Sequence, residues 1–313
     1  DATASPRWFN YFAQRRRRAS IRQSLLETTP DLVISFIDTT NIHILMALAD
    51  TRIPTIVSER IDWRFHSIGW RWQLLRRFWY PRAERVVSLA RSPVAAALRY
   101  VPPWRCVNIA NPVPKIDLQT LPGPALAGEK NLIAMGRLAP QKGFDLLLQA
   151  FSDCARRHPD WHLTVLGQGP LRDDLMMMAK DLGIGDRVEF RPPVRPPFSL
   201  LRAADLFVFS SRYEGFGMAL AEAMACGLPV ISFDCPSGPR EIVRDGVDGL
   251  LVPAENVEAL TAAMDRLMSD PSLRESLAKR AVEVCDRFAP ERILDQWCGL
   301  IEEVLAEREG AGH

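Results

Sequence analysis

The sequence predicts an α/β protein built from two parallel-sheet domains, the first of them incomplete. Three observations carry the prediction. Short β-branched apolar runs alternate with helical stretches along the chain, the alternation comes in two separate series, and a segment rich in Pro and Gly stands between them. Parallel strands need crossover connections, and those connections cover both faces of the sheet, so each strand reads as a continuous apolar run. At 313 residues the chain is long enough for two cores.

The first series offers strands in "DLVISFI" (31–37), "PTIVS" (54–58), "RVVSLA" (85–90) and "RCVNIA" (105–110), with helices at 7–28, 41–50, 68–79 and 92–100. The segment "NPVPKIDLQTLPGPALAGEK" (111–130) reads as a linker. The second series runs "KNLIAMG", "WHLTVLG", "RVEFR", "DLFVFSS" and "LPVISFD", its first helix being "FDLLLQAFSDCARRHP", stopped by Pro159. The two series read as two Rossmann-like domains. The first has about four strands where a full doubly wound sheet has about six, and no Gly-rich turn follows an early strand. With Asp1 in place of an initiating Met, this predicts that an N-terminal βαβ portion is missing and that the chain is a piece of a longer protein. The expected domains are residues 1–115, 116–289 and a terminal helix in 290–313.

Composition narrows the class. Hydrophobic content of 47% and charged content of 25% are ordinary for a globular protein. The net charge of +1 hides a basic first third. Six scattered cysteines form no C-x-x-C, and no His is spaced for zinc. They read as reduced, mostly buried thiols of a cytosolic protein, with no metal site expected. No apolar run spans a bilayer, and no signal peptide is visible.

Ligands of open α/β sheets sit beyond the carboxyl ends of the strands, and three such ends in the second series carry chemistry. "GRLAPQKGF" places Gly136, Arg137 and Lys142 at a tight turn. "GQGP" places Gly167 at the next, and "RYEGFGMALAEAM" places Glu214, Gly215, Phe216, Gly217, Met218 and Glu222 at a third. A helix beginning near Phe216 would point free N–H groups outward as an anion site. With Arg137 and Lys142 it would neutralise a diphosphate leaving group without a metal. Glu214, before that helix, would accept hydrogen bonds from sugar hydroxyls, and Glu222, eight positions and so nearly two turns on, would fall on nearly the same face and reach ribose hydroxyls. Each feature alone is commonplace: a Glu-x7-Glu pair is usually a solvated helix edge. The combination at successive strand ends is specific.

On these residues the second domain resembles the retaining glycosyltransferases of family four, which have the two-domain GT-B fold. "GRLAPQKGFDLLLQAF", "LTVLGQGPLRDDL", "SSRYEGFGMALAEAMACGLPVIS" and "GVDGLLVP" match that family's ordered motifs. The match is close over 110–290 and looser over 28–110. The resemblance implies that Arg137 and Lys142 bind the donor phosphates, that Glu214 contacts the donor sugar and that Glu222 contacts the ribose. It implies backbone contacts from Gly215, Phe216, Gly217 and Met218. It also implies front-face attack with retention, the leaving phosphate assisting deprotonation, so Glu214 is no covalent nucleophile. The family commonly has a Gly after its "V-x-F" strand, where "RVEFRPPV" has Arg191 and Pro192. That stretch helps hold the base, so Arg191 joins the donor-side candidates. "DCPSGPREIVRDGVDG", "PDLVISFIDTTNIHILMAL" and "IPTIVSERIDWR" resemble a subgroup that builds cell-surface polysaccharides and lipid-linked oligosaccharides, and place Glu59, Arg60 and, further on, His66 on the acceptor side. The expected donor is a UDP-hexose or UDP-N-acetylhexosamine and the acceptor a lipid-linked sugar or glycan, with no cofactor. Two other readings are a nucleotide-sugar-binding fragment without turnover, and a soluble sugar synthase or phosphorylase.

The first domain carries aromatic and basic residues together. Arg15 to Arg18 share a helical stretch with Trp8, Phe9, Tyr11 and Phe12, and "WRFHSIGWRWQLLRRFWYPRAER" sets four Trp among six Arg. Such stretches suit an anionic membrane surface or lipid diphosphate, or a core-facing stripe with a solvated Arg face. Nucleic acid is not expected, since no reader motif accompanies the charge. The expected location is cytoplasmic, at the inner membrane face. In the last helix Ile293, Trp297, Leu300, Ile301 and Val304 recur on one face, which predicts that it leaves its own sheet and buries Trp297 beside the first domain.

Overall fold

In the computed structural model, residues 7–91, 99–117, 126 and 129–310 are described, with side-chain surroundings from residue 13 onward. Most of the expected helix 92–100, much of the linker and the side chains of Trp8, Phe9, Tyr11 and Phe12 lie outside the described residues. The chain divides into two compact units, Asp1–Ala110 with Leu294–His313, and Asn111–Ile293. The start of the linker stays with the second unit, where the Val113 amide donates to the Phe288 carbonyl at 2.8 Å.

In the first unit, β1 (Val33–Phe36), β2 (Thr55–Glu59), β3 (Arg85–Ser88) and β4 (Cys106–Asn108) form one parallel sheet in that order. Helices Arg7–Thr28, Asp38–Ala47 and Trp70–Trp79 accompany it. Ile42, Leu45, Val57, Trp63, Tyr80 and Val86 make one core cluster, against which Trp72, Leu75 and Trp79 pack. The tryptophan stripe therefore divides: Trp63 is 8% exposed and Trp70 is 72% exposed. The terminal helix Pro290–Gly310 joins this unit from Leu294 onward. Leu300 and Val304 are buried on it. Trp297 is half-buried rather than buried, its ring edge-on to Phe36 at 6.0 Å. Arg85, enclosed in β3, donates to Glu303 and Glu307 of this helix at 2.6 Å each.

In the second unit, β5 (Lys130–Met135), β6 (Trp161–Leu166), β7 (Val188–Arg191), β8 (Leu206–Phe209), β9 (Val230–Asp234) and β10 (Leu250–Pro253) form a parallel sheet in the order β10-β9-β8-β5-β6-β7. Five of the six are the expected strands. The sixth, β10, is four residues at the sheet edge, and its short "LLVP" run reads equally well as part of a loop. Leu132, Leu147, Phe151, Trp161 and Phe233 belong to the core between sheet and helices. The chain winds from β5 outward through β6 and β7, returns to the other side of β5 at β8, and winds outward again. The order thus reverses between β5 and β8, and the crevice beyond their carboxyl ends is where ligands of such sheets bind.

All six cysteines are free. Cys154, Cys226, Cys235 and Cys285 are buried, Cys106 is half-buried and Cys298 is exposed. Among the described residues no helix is long and apolar enough to cross a membrane.

Candidate active site

The reversal between β5 and β8 brings two loops together. Residues 136–143 follow β5, and residues 210–217 follow β8. They are stitched by backbone and side chain alike: the Arg212 amide donates to the Gln141 carbonyl at 2.8 Å, Gln141 Nε2 to the Tyr213 carbonyl at 2.9 Å and Ser210 Oγ to the Lys142 carbonyl at 2.9 Å. Arg212 also grips Asp145 with both ends of its guanidinium, at 2.9 and 2.7 Å. Burial pushes the Asp145 carboxyl up, but the Arg212 hydrogen bonds and charge outweigh it and hold that carboxyl below its ordinary range. Gly143, at φ +61°, sits so close that a Cβ there would meet the Ser210 carbonyl oxygen at 2.1 Å, so no larger residue fits the turn.

This stitching sets Lys142 Nζ against Glu214 Oε1 in an ion pair across the reversal point. The Lys142 ammonium also lies 5.5 Å over the Phe209 ring. Glu214 is 7% exposed, and Gly215, Phe216 and Gly217 after it are buried. Phe216 turns its ring inward, edge-on to Phe288 at 5.2 Å, which leaves its backbone for any ligand. The helix starts at Met218, two residues later than expected, with Gly217 capping it at φ +107°. Glu214 therefore precedes the helix, and Glu222 alone of the two carboxylates is on it. The position of Glu214 before the helix is the expected one, but with the helix beginning only at Met218 the two carboxylates do not share a helix face. The strand-end loop supplies one carboxylate and the helix the other.

A cavity of about 790 Å³ opens at the ends of β5 and β6, lined by residues that include Gly136, Arg137, Gly167, Gln168, Arg195 and Glu222, within the range of small-molecule sites. Its floor is backbone against backbone. A Cβ on Gly167 would meet the Gly136 carbonyl oxygen at 2.0 Å, and one on Gly169 the Leu138 carbonyl oxygen at 2.3 Å. The glycines thus let the two strand-end loops touch. Burial raises the pKa of the Glu222 carboxyl above its ordinary value, and the Arg195 charge opposes the rise.

Sequence reasoning named Arg191 but missed Arg195 and the run Pro193–Phe198 that lines this cavity. Arg191 pairs with Glu189 at 2.8 Å and does not line the cavity, while its carbonyl accepts from the Gly167 amide at 3.0 Å. The signal available was the four prolines of "PPVRPP" directly after β7, which lack the N–H groups that a ladder or a helix interior needs.

In the first unit, the ends of β1 and β2 gather a second polar group. Glu59 is 1% exposed and accepts from the Tyr80 hydroxyl. Buried Arg76 reaches Glu59 and Asp38 at 3.5 Å each, and half-buried His66 lies 3.9 Å from Asp38. Burial dominates at Glu59 and raises its pKa to about 7 despite the opposing Arg76 charge. Glu59 is thus enclosed within the unit, while Arg60 is partly exposed and stacks 4.4 Å over the Phe36 ring. Next to Phe36, Ile37 is held at φ +75°, a conformation costly for a β-branched residue and common near functional sites. Among the described residues, no three His, Cys, Asp or Glu side chains converge as a metal site.

The family described as "Glycosyl transferases group 1" matches residues 123–284. The chain belongs to the group 1 glycosyltransferases. The chain is 32% identical to an exopolysaccharide phosphotransferase of Streptomyces coelicolor over 316 residues, which covers 97% of this chain and 32% of that protein. Another relative is a Campylobacter jejuni α-1,4-N-acetyl-D-galactosaminyltransferase named for its GalNAc-α-(1→4)-GalNAc-α-(1→3)-diNAcBac-PP-undecaprenol substrate. It is 28% identical over 286 residues, covering 91% of this chain and 78% of that one. The chain thus spans about a third of the first relative's length and more than three quarters of the second's. Among solved structures, Anabaena HepE in complex with UDP superposes with a TM-score of 0.80 at 21% identity, covering 91% of this chain and 82% of that one. The architecture is the GT-B type of the group.

Proposed function

We propose that this glycosyltransferase moves a sugar, with retention, from a UDP-hexose or UDP-N-acetylhexosamine to a lipid-linked or polysaccharide acceptor, at the inner face of a membrane. The observation that carries the reading is the meeting of Lys142 and Glu214 across the strand reversal, beside the cavity that holds Arg137 and Glu222. In this reading the donor diphosphate lies over the N-terminus of helix Met218–Ala225, where Arg137 and Lys142 supply positive charge as the leaving group forms. Glu214 receives hydroxyls of the sugar and Glu222 those of the ribose. The bond from the anomeric carbon to the phosphate oxygen breaks, and the acceptor oxygen bonds to the same face of the sugar. The acceptor proton passes to the departing phosphate, so charge balances without a protein nucleophile or a metal. On the acceptor side, Arg60 and His66 are the groups open to an incoming substrate, and enclosed Glu59 is linked to His66 through Arg76 and Asp38. The bacterial relative whose name includes an undecaprenol diphosphate supports the lipid-linked class, and the UDP held by the Anabaena neighbour supports the nucleotide.

A second reading is favoured by one observation: the family match at 123–284 lies wholly inside the second unit. That unit could hold UDP without turnover. Calorimetry with UDP, beside a transfer assay on a lipid-linked acceptor, separates the two. UDP binding that falls at least about tenfold in Arg137→Ala and Glu222→Ala, together with transfer, supports the enzyme. Binding without transfer supports the module, and no binding overturns both.

A further inference from the structure

The helix Trp70–Trp79 carries apolar residues on two sides. Trp72, Leu75 and Trp79 pack against the core of the first unit. On the other side Trp70, Leu74 and Phe78 are 72%, 62% and 58% exposed. Spaced by four, they form one stripe roughly 12 Å long, where a helix on a water-facing surface normally carries polar residues.

The residues around the stripe are basic. Arg71 and Arg77 are exposed beside it. The Arg71 guanidinium lies 5.2 Å over the Trp70 ring, and that of Arg82 lies 4.3 Å over Phe78. Within residues 60–83 the single acidic residue is Asp62, which is buried and bonded to Arg64 at 2.5 Å. The face therefore combines three apolar anchors with three guanidiniums and presents no carboxylate of its own segment.

We propose that this face docks on an anionic phospholipid surface. Trp70, Leu74 and Phe78 enter the acyl boundary, and Arg71, Arg77 and Arg82 spread onto lipid phosphates, Arg71 and Arg82 from over the Trp70 and Phe78 rings. A second copy of the chain is the poorer occupant. Two-fold pairing of this face would set its arginines against themselves, with no acid to meet them. The inference rests on the reading of the acceptor as lipid-linked, which gives the docking its purpose.

The test is co-sedimentation of the chain with vesicles of phosphatidylglycerol and phosphatidylcholine in about equal parts, against phosphatidylcholine alone. The expected result is binding to the anionic vesicles that weakens with salt. Trp70→Ser with Phe78→Ser should lower partitioning at least about tenfold, and Arg71→Gln with Arg77→Gln should lower it about fivefold per arginine. Unchanged helical content and UDP calorimetry in these variants would show that the fold and the second unit are intact. Equal partitioning of wild type and the Trp70/Phe78 variant would overturn the proposal, as would binding indifferent to lipid charge. A self-association on sizing that the same variant dissolves, without vesicle binding, would overturn it in favour of a second copy. Vesicle binding that persists in a chain with no affinity for UDP would sustain the docking face while defeating the donor-site reading.

Discussion

Lys142, after β5, and Glu214, after β8, meet as an ion pair at the point where the strand order of the second sheet reverses. Their side chains are 18% and 9% exposed, so each depends on the other while no ligand is bound. A donor phosphate and a donor sugar would divide the pair between them, the cation turning to one and the carboxylate to the other. Lys142→Ala and Glu214→Ala are each expected to lower kcat/KM for transfer by about 10²–10³. The double variant should lose less than the two single losses combined, because the residues act as a unit. A change within about threefold in either single variant, near 0.7 kcal/mol, would remove them from the site.

Gly167 faces the Gly136 carbonyl so closely that an added Cβ would sit 2.0 Å from its oxygen. Gly167→Ala must therefore push two strand-end loops apart, at an expected cost of about 3 kcal/mol in stability and with loss of UDP binding. Gly183 provides the contrast: at φ +70° it has open space around it, so Gly183→Ala should cost only about 1 kcal/mol and leave UDP binding alone. Thermal melts with calorimetry on both variants decide the matter, and equal effects would contradict it.

Glu59 titrates near 7 in the folded chain, against an ordinary value of 4.5, chiefly because it is buried. Folded protein therefore holds this proton at pH values where unfolded chain has released it. The stabilisation is complete below about 4.5 and is lost as the pH rises through 7. Between pH 5 and 7.5 the wild type should lose on the order of 3 kcal/mol more stability than Glu59→Gln, which cannot titrate. Denaturant midpoints across that window test this, and parallel curves for the two proteins would refute it.

Much of the fold was legible because both sheets are parallel and buried, so their strands stand out as apolar β-branched runs between helices. The strand β10 was not, because "LLVP" at a sheet edge carries too few residues for a pattern. The charged residues beyond β5 and β8 were legible for a similar reason: Arg137, Lys142 and Glu214 stand in the loops that follow recognisable strands. Arg195 escaped because it sits in a proline-rich stretch whose path no periodicity reports. Spacing also could not say which tryptophans face the core. Trp72 and Trp79 turn inward while Trp70 turns out, a distinction set by what the helix packs against. Nor could it show that Glu59, at the end of β2, is sealed under Tyr80 rather than open to a substrate.

Arg85 is 1% exposed, whereas its partners Glu303 and Glu307 are 56% and 48% exposed. Burial draws the Arg85 pKa down, but bonds to both carboxylates more than compensate and leave it raised. Removing the two exposed partners should thus hurt more than removing the buried cation. Glu303→Gln with Glu307→Gln, which leaves Arg85 only the Glu84 carbonyl and the Trp104 ring, is expected to cost about 2–3 kcal/mol, and Arg85→Met about 1 kcal/mol. Hydrogen exchange over 294–310 would read the loosening, and the reverse order of effects would disprove the asymmetry.

The contact of Gly167 with the Gly136 carbonyl has an evolutionary corollary. A floor made of touching main chain offers selection no side chains to vary. The wall formed by Pro193–Phe198 is built otherwise: it has no ladder to keep and is largely open at the surface. If the cavity takes the donor as proposed, changes of donor preference should be reached along that wall, and libraries aimed at a new nucleotide-sugar belong there.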